Sequence, residues 1–321
     1  MNQVVLLSAP YMLPYVERFR PVFEHYNLDL ILPEVHERLS EEEILAYAGQ
    51  FDAAVCGDDR FSERVIERCL PRLKVISKWG TGIDSIDSAA AERFGVQVFR
   101  TLNAFTLPVS DTVMGYILAF ARRLPWMDRA VKNGVWEKLP GTSLSEATLG
   151  VIGVGNIGKA VIRRARAFGM RILATDIVAI APDFILENGV KMVDLNELMH
   201  EADFVSVNCD LNPTSRHLVN RDTLSWMKRS AVLINTSRGP IVDETELIAA
   251  LHDGWIGGAA LDVFENEPLP AESPLTRMDN VMLAAHNSNA SPAAWERVHW
   301  NTLRNMLEGL NLNPADLAYF H

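Results

Sequence analysis

Three glycines spaced Gly153-x-Gly155-x-x-Gly158 follow an apolar run at residues 149–153, and a second apolar run at 171–175 ends in Asp176. The pattern reads as a strand, a tight turn, a helix and a second strand closed by an acid. Gly153 permits the turn, Gly155 lets the backbone approach a pyrophosphate, and Gly158 lets the helix pack close on the strand. Asn156 and Ile157 open that helix, whose first-turn amides and positive end would face phosphates. Asp176 stands 18 residues beyond Gly158, where a carboxylate can accept bonds from both ribose hydroxyls. A carboxylate there repels a 2′-phosphate, and Ile177, Val178 and Ala179 bring no cation to attract one. The expected cofactor is therefore NAD rather than NADP.

Three later apolar runs also end in polar residues, and in open α/β sheets ligands bind at such carboxyl ends. The first ends Asn235-Thr236-Ser237-Arg238-Gly239-Pro240. The planar fork of Arg238 suits a bidentate contact with a substrate carboxylate, and it can polarise the adjacent carbonyl. The second ends Asp262-Val263-Phe264-Glu265-Asn266-Glu267-Pro268. Glu267 is the candidate to orient a histidine and stabilise its imidazolium. Asp262 is expected to face the nicotinamide region and Glu265 to be solvated. The third ends in His286, a general acid/base candidate at a strand terminus. The remaining histidines, His25, His36, His200, His217, His252, His299 and His321, read as surface or capping residues.

Lys78-Trp79-Gly80-Thr81-Gly82 leaves an earlier strand and enters a helix. Its amides at Gly80, Thr81 and Gly82 could bind a carboxylate opposite Arg238. Should the substrate carry a phosphate, Arg60 and Lys78 are the cations on offer. No metal is expected.

Short apolar runs at 4–8, 28–32, 53–56, 75–79 and 96–99 alternate with amphipathic stretches at 15–26, 40–48 and 61–70, and Ser40-Glu41-Glu42-Glu43 has the form of a capping box. The same rhythm restarts near residue 148, with strand candidates at 149–153, 171–175, 204–207, 231–235, 258–263 and 281–285. The expected fold class is α/β, with two Rossmann- or flavodoxin-like doubly wound parallel sheets. A long connecting helix at 109–123 and an arm at about 120–147 separate the two rhythms. Trp126 and Trp136 on that arm point to either a dimer contact or burial on the parent domain. A long helix at 292–310 is too long for another crossover and would return to the first domain. The expected division is a discontinuous substrate domain of residues 1–103 and 290–321 around an inserted nucleotide-binding domain of 104–289.

A chain of 321 residues can bury two cores of ordinary size. With 30 basic and 41 acidic residues the net charge is −11, which argues against nucleic acid as a partner. An anionic substrate must then meet a local basic pocket. The N-terminus has no signal-peptide pattern, no run is long enough for a membrane span, and three cysteines make no disulfide framework. A cytoplasmic compartment is expected.

In order and spacing, the Gly80–Asp87 loop, the stretch Asn103 to Asp111, the glycine fingerprint with Asp176, Asn235-Thr236-Ser237-Arg238-Gly239, Asp262 to Pro268 and His286 resemble the D-isomer-specific 2-hydroxyacid dehydrogenase family. The wording Lys78-Trp79-Gly80-Thr81-Gly82 is most similar to its phosphoglycerate dehydrogenase-like branch. The resemblance implies a catalytic Arg238–Glu267–His286 triad, an NAD domain inserted into the substrate domain, and a homodimer joined through the NAD domains. Thr236, Cys209 and Asp262 would line the cofactor. It further implies hydride exchange between NAD and a small D-2-hydroxy or 2-oxo acid, with 3-phosphoglycerate ahead of hydroxypyruvate and glyoxylate. A non-enzymatic NAD-sensing corepressor and a phosphite or formate dehydrogenase are the rival readings. Val207-Asn208-Cys209-Asp210 departs from the usual Leu-His-x-Pro of the family, and Ala285 stands where a proline usually precedes the histidine.

Overall fold

The structure is a computed structural model that describes residues 2–320. It divides into two compact units, one running to Phe105 and resuming at Ser291, the other Thr106–Ala290.

The first unit holds β1 (Gln3–Leu7), β2 (Leu28–Ile31), β3 (Ala53–Cys56), β4 (Val75–Lys78) and β5 (Gln97–Arg100). They form one parallel sheet in the order β2-β1-β3-β4-β5. That is the flavodoxin-like doubly wound order. β3 and β4 are buried along their whole length, as strands covered by helices on both faces must be. The Ser40 capping box forms: Ser40 N–H donates to Glu43 Oε2 at 2.8 Å, and Glu43 N–H donates to Ser40 Oγ at 3.4 Å. The helix Pro292–Gly309 belongs to this unit and lies on its sheet. Ser77 Oγ donates to the Thr302 carbonyl at 2.8 Å, and a Cβ on Gly309 would stand 2.3 Å from a Val75 methyl.

The second unit holds β6 (Thr148–Ile152), β7 (Arg171–Thr175), β8 (Val190–Met192), β9 (Phe204–Val207), β10 (Val232–Asn235), β11 (Gly258–Leu261) and β12 (Val281–Leu283). Their order is β12-β11-β10-β9-β6-β7-β8, all parallel. This is the dinucleotide-binding order with one added strand, and its direction reverses between β6 and β9. β8, which the apolar runs do not reveal, is a three-residue edge strand interrupted by exposed Lys191. Leu149, Val151, Ile172 and Ile234 form the core on one face with the helix Thr106–Ala121. Ile152, Leu173, Val205 and Leu233 form it on the other.

The arm after residue 121 opens with the helix Leu124–Lys132. Trp126 is half-buried: its ring centroid is 4.9 Å from that of Phe120, and its indole N–H donates to the Asp279 carbonyl at 2.9 Å. Trp136, by contrast, is 88% exposed. Among the described residues no helix is long and apolar enough to cross a membrane, and no group of His, Cys, Asp or Glu could hold a metal ion.

Candidate active site

Each glycine of the fingerprint has its own physical reason. Gly153 adopts φ +89°, and a Cβ there would lie 2.6 Å from the amide nitrogen of Cys209. The loops after β6 and β9 therefore meet at the switch point of the sheet, closed by Asn208 N–H donating to the Ile152 carbonyl at 2.7 Å. Gly158 would place a Cβ 2.1 Å from the Gly153 carbonyl oxygen. Gly155 differs from both. Its φ is −70° and nothing lies within 4 Å of a Cβ there, so the protein itself does not require a glycine. It is exposed and caps the 12-residue helix Asn156–Ala167. A glycine needed neither by backbone nor by neighbours fits a position kept open for a pyrophosphate, on amides that favour negative charge.

Asp176 at the end of β7 is held in place. Its Oδ2 accepts from Val154 N–H at 2.6 Å and its Oδ1 from Val178 N–H at 3.0 Å. Each oxygen keeps a lone pair for a ribose hydroxyl. Ile177 and Val178 beside it are exposed. Thr236 is buried, and burial pushes the Cys209 thiol up to about 11, so it stays neutral next to the loop.

The triad residues leave three neighbouring strands. Parallel register pairs Asn235 with Leu261 and Leu261 with Leu283, so Arg238, Glu267 and His286 all follow one edge of the sheet. Asn235 shapes the first loop: its side-chain amide donates to the Arg238 carbonyl at 2.9 Å, and its Oδ1 accepts from Ser237 N–H at 3.1 Å. Arg238 Nη1 donates to the Ser237 carbonyl at 2.9 Å. A Cβ on Gly239 would fall 1.9 Å from the Phe264 carbonyl, so the Arg238 loop rests directly on the backbone that leads to Glu267.

Glu267 Oε1 accepts from Phe264 N–H at 3.0 Å, and Glu267 Oε2 is 3.1 Å from His286 Nδ1. Both side chains are half-buried, each 22% exposed. Nδ1 is the nitrogen that meets the carboxylate, and Nε2 lies on the opposite side of the ring. His286 itself has φ +49°, a left-handed conformation that costs an L-residue roughly 1–2 kcal/mol.

Asp262 holds that conformation. Its backbone carbonyl accepts from His286 N–H at 2.8 Å, and its carboxylate accepts from Asn287 N–H at 2.7 Å and Ser288 N–H at 2.9 Å. The side chain is fully buried. Asp262 thus sits beneath the His286 loop and bonds its backbone. Charge-assisted bonds to two consecutive amides explain why an acid is needed there.

Glu265 is likewise not a solvated acid. Its Oε1 lies 2.7 Å from His217 Nε2, and its N–H donates to Glu244 Oε2 at 3.1 Å. His299, expected at the surface, is 4% exposed. Its Nδ1 accepts the Trp79 indole N–H at 2.9 Å, among the rings of Phe19 and Trp79. Burial lowers its pKa to about 4, so it is the neutral acceptor. A histidine four residues from both Trp295 and Leu303 carries a signal for burial. His321 lies outside the described residues.

In the first unit, Gly80, Thr81 and Gly82 follow β4, with Gly80 at φ +123°. Their N–H groups make no hydrogen bond within the described residues. The next helix, Ser88–Arg93, starts well beyond them, so its terminus does not supply the charge expected of it. Lys78 is buried, and its ammonium is 3.0 Å from Asp58 Oδ1. Arg60 is exposed.

Residues 114–288 match the family model described as the D-isomer specific 2-hydroxyacid dehydrogenase, NAD binding domain. A glyoxylate reductase from Korarchaeum cryptofilum is 38% identical over 291 residues, covering 88% of this chain and 86% of that protein. A D-3-phosphoglycerate dehydrogenase from Methanocaldococcus jannaschii is 39% identical over 266 residues, covering 81% of this chain but 50% of its own length. Among solved structures, a glyoxylate reductase from Paecilomyes thermophila is similar over 96% of this chain and 95% of that one, with 28% identity and a TM-score of 0.85.

Proposed function

The chain belongs to the D-isomer specific 2-hydroxyacid dehydrogenase family, and from that premise we propose that it is an NADH-dependent reductase of glyoxylate or hydroxypyruvate. The observation that carries the reaction is the 3.1 Å contact of His286 Nδ1 with Glu267 Oε2, one strand end away from Arg238. The Gly155–Asn156 turn and Asp176 would hold NADH, which would supply the hydride for C2 of the 2-oxo acid. His286 Nε2 donates a proton to the C2 oxygen, giving the 2-hydroxy acid, and recovers its proton from solvent. The Glu267 carboxylate fixes the ring through Nδ1 and favours the charged imidazolium from which the proton leaves. Arg238 binds the substrate carboxylate and polarises the carbonyl. The amides of Gly80, Thr81 and Gly82 are the second donor set assigned to that carboxylate.

Two observations favour a small, unphosphorylated substrate over the 3-phosphoglycerate that led the sequence reading. Lys78, one of two cations then available for a phosphate, is buried and holds Asp58. The matched glyoxylate reductase is also covered over far more of its length than the matched phosphoglycerate dehydrogenase. The exposed arm side chains Leu124, Val131, Val135, Trp136 and Leu139 support a homodimer.

NADH consumption by the purified protein against glyoxylate, hydroxypyruvate, phosphohydroxypyruvate and pyruvate, with NADPH in parallel, tests this. Highest kcat/KM on glyoxylate or hydroxypyruvate with NADH supports the reading. A preference for phosphohydroxypyruvate restores the phosphoglycerate reading, and NADH binding without turnover favours an NAD-sensing protein.

A further inference from the structure

The loop after β4 contains three consecutive peptide units whose carbonyls are each tied back to the protein. The Trp79 carbonyl accepts from Lys78 Nζ at 3.3 Å. The Gly80 carbonyl accepts from Thr101 N–H at 2.8 Å. The Thr81 carbonyl accepts from Arg100 Nη1 at 3.2 Å. In a planar trans peptide the N–H points opposite to the C=O. Each tether therefore turns one amide the other way, at Gly80, Thr81 and Gly82 in turn, and these are the three N–H groups without a partner in the described residues. Two of the three tethers are cations, and Lys78 and Arg100 are cross-strand partners in the β4–β5 register. The Lys78 ammonium lies 3.8 Å from where a Gly80 Cβ would be and 3.0 Å from Asp58 Oδ1. Thr81 Oγ1, donating to the Thr101 carbonyl at 2.8 Å, ties the loop to the residue that follows β5.

We infer that Lys78 and Arg100 are positioning residues for the substrate carboxylate, acting through the Trp79 and Thr81 carbonyls to orient and polarise the Gly80 and Gly82 amides without touching the substrate. A hydrogen bond to a carbonyl polarises its peptide and strengthens the N–H as a donor, and a cationic donor does so more. A buried lysine at a strand end is explained in the same way. Its charge is needed behind the loop, and Asp58 offsets the cost of burying it. The inference rests on the reading of the loop as a carboxylate site and extends it to residues on its far side.

The test is steady-state kinetics of the full-length protein with glyoxylate for Arg100→Ala, Arg100→Lys and Lys78→Met, beside NADH affinity and Tm. Arg100 is exposed, so its variants should fold even if Lys78→Met does not. Arg100→Ala should raise KM for glyoxylate roughly three- to tenfold, the loss of one hydrogen bond, with kcat and NADH affinity within twofold. Arg100→Lys should recover part of that loss. Lys78→Met should raise KM about ten- to a hundredfold, as expected for a charged donor. An unchanged KM, or kcat and Tm falling while KM holds, overturns the inference. So does a Lys78→Met effect confined to phosphohydroxypyruvate, which would mean direct phosphate contact. Titration with oxalate separates this inference from the function: if the wild type reduces no 2-oxo acid, oxalate binding weakened by these variants still supports the loop, and unaltered binding overturns it.

Discussion

Glu267 bonds in different directions, to His286 Nδ1 at 3.1 Å through Oε2 and to Phe264 N–H at 3.0 Å through Oε1. The carboxylate is thus anchored by its own loop before it orients the histidine. Gly239 rests against the carbonyl of the same residue, Phe264, so the loop that carries Arg238 is referenced to that backbone too. Groups proposed for catalysis need to be held closely in productive geometry, and one short stretch of backbone anchors both Glu267 and the Arg238 loop.

Replacing Glu267 with Gln keeps the shape and removes the charge. The amide cannot stabilise the imidazolium, so kcat for reduction should fall by about 10²–10⁴. The alkaline limb of the reduction rate should also move to lower pH, because His286 would lose its proton more readily. A pH profile of kcat for both proteins checks this; an unshifted limb contradicts it.

Gly155 and Gly158 should respond oppositely to added side chains. Gly155→Val has open space and an ordinary φ, so Tm should hold while NADH affinity drops more than tenfold. Gly158→Ala meets the Gly153 carbonyl at 2.1 Å and should lower Tm or prevent folding. Calorimetric unfolding and NADH fluorescence titration on both variants decide the matter.

Asp262→Asn leaves one acceptor oxygen for the amides of Asn287 and Ser288 and removes the charge. Losing a charged acceptor costs about 1.5–3 kcal/mol, and the left-handed turn at His286 should relax. Stability should drop by that amount and kcat roughly tenfold or more, with NADH affinity little changed. A variant with wild-type kcat would show that the turn holds without the carboxylate.

His299 gives the first unit a pH dependence of its own. Its folded pKa is lowered to about 4 from 6.5, chiefly by burial, so the unfolded chain binds the extra proton first. Stability should then decline as pH falls from about 6.5 toward 4, and be indifferent to this group above that range. Denaturant unfolding followed by tryptophan fluorescence reads it, and His299→Gln should flatten that part of the curve.

Most strands were legible because parallel strands buried on both faces leave unbroken apolar runs, as at residues 53–56 and 204–207. The edge strand Val190–Met192 was not, since three residues with a central lysine carry no such signal. Arg238, Glu267 and His286 could be proposed from their places after strands. The amide clamp made by Asp262 could not, because an acid at a strand end carries no sign of which backbone amides it will bond. Arg100 was also invisible, because its partner is a carbonyl and every residue has one.

The most direct measurement is glyoxylate-dependent NADH oxidation by His286→Ala beside the wild type, with NADH affinity determined for both. A loss of about 10²–10⁴ in kcat with NADH affinity within twofold is predicted, the effect of removing a general acid from an intact nucleotide site. A His286→Ala enzyme that retains kcat within a few-fold of wild type would contradict the account.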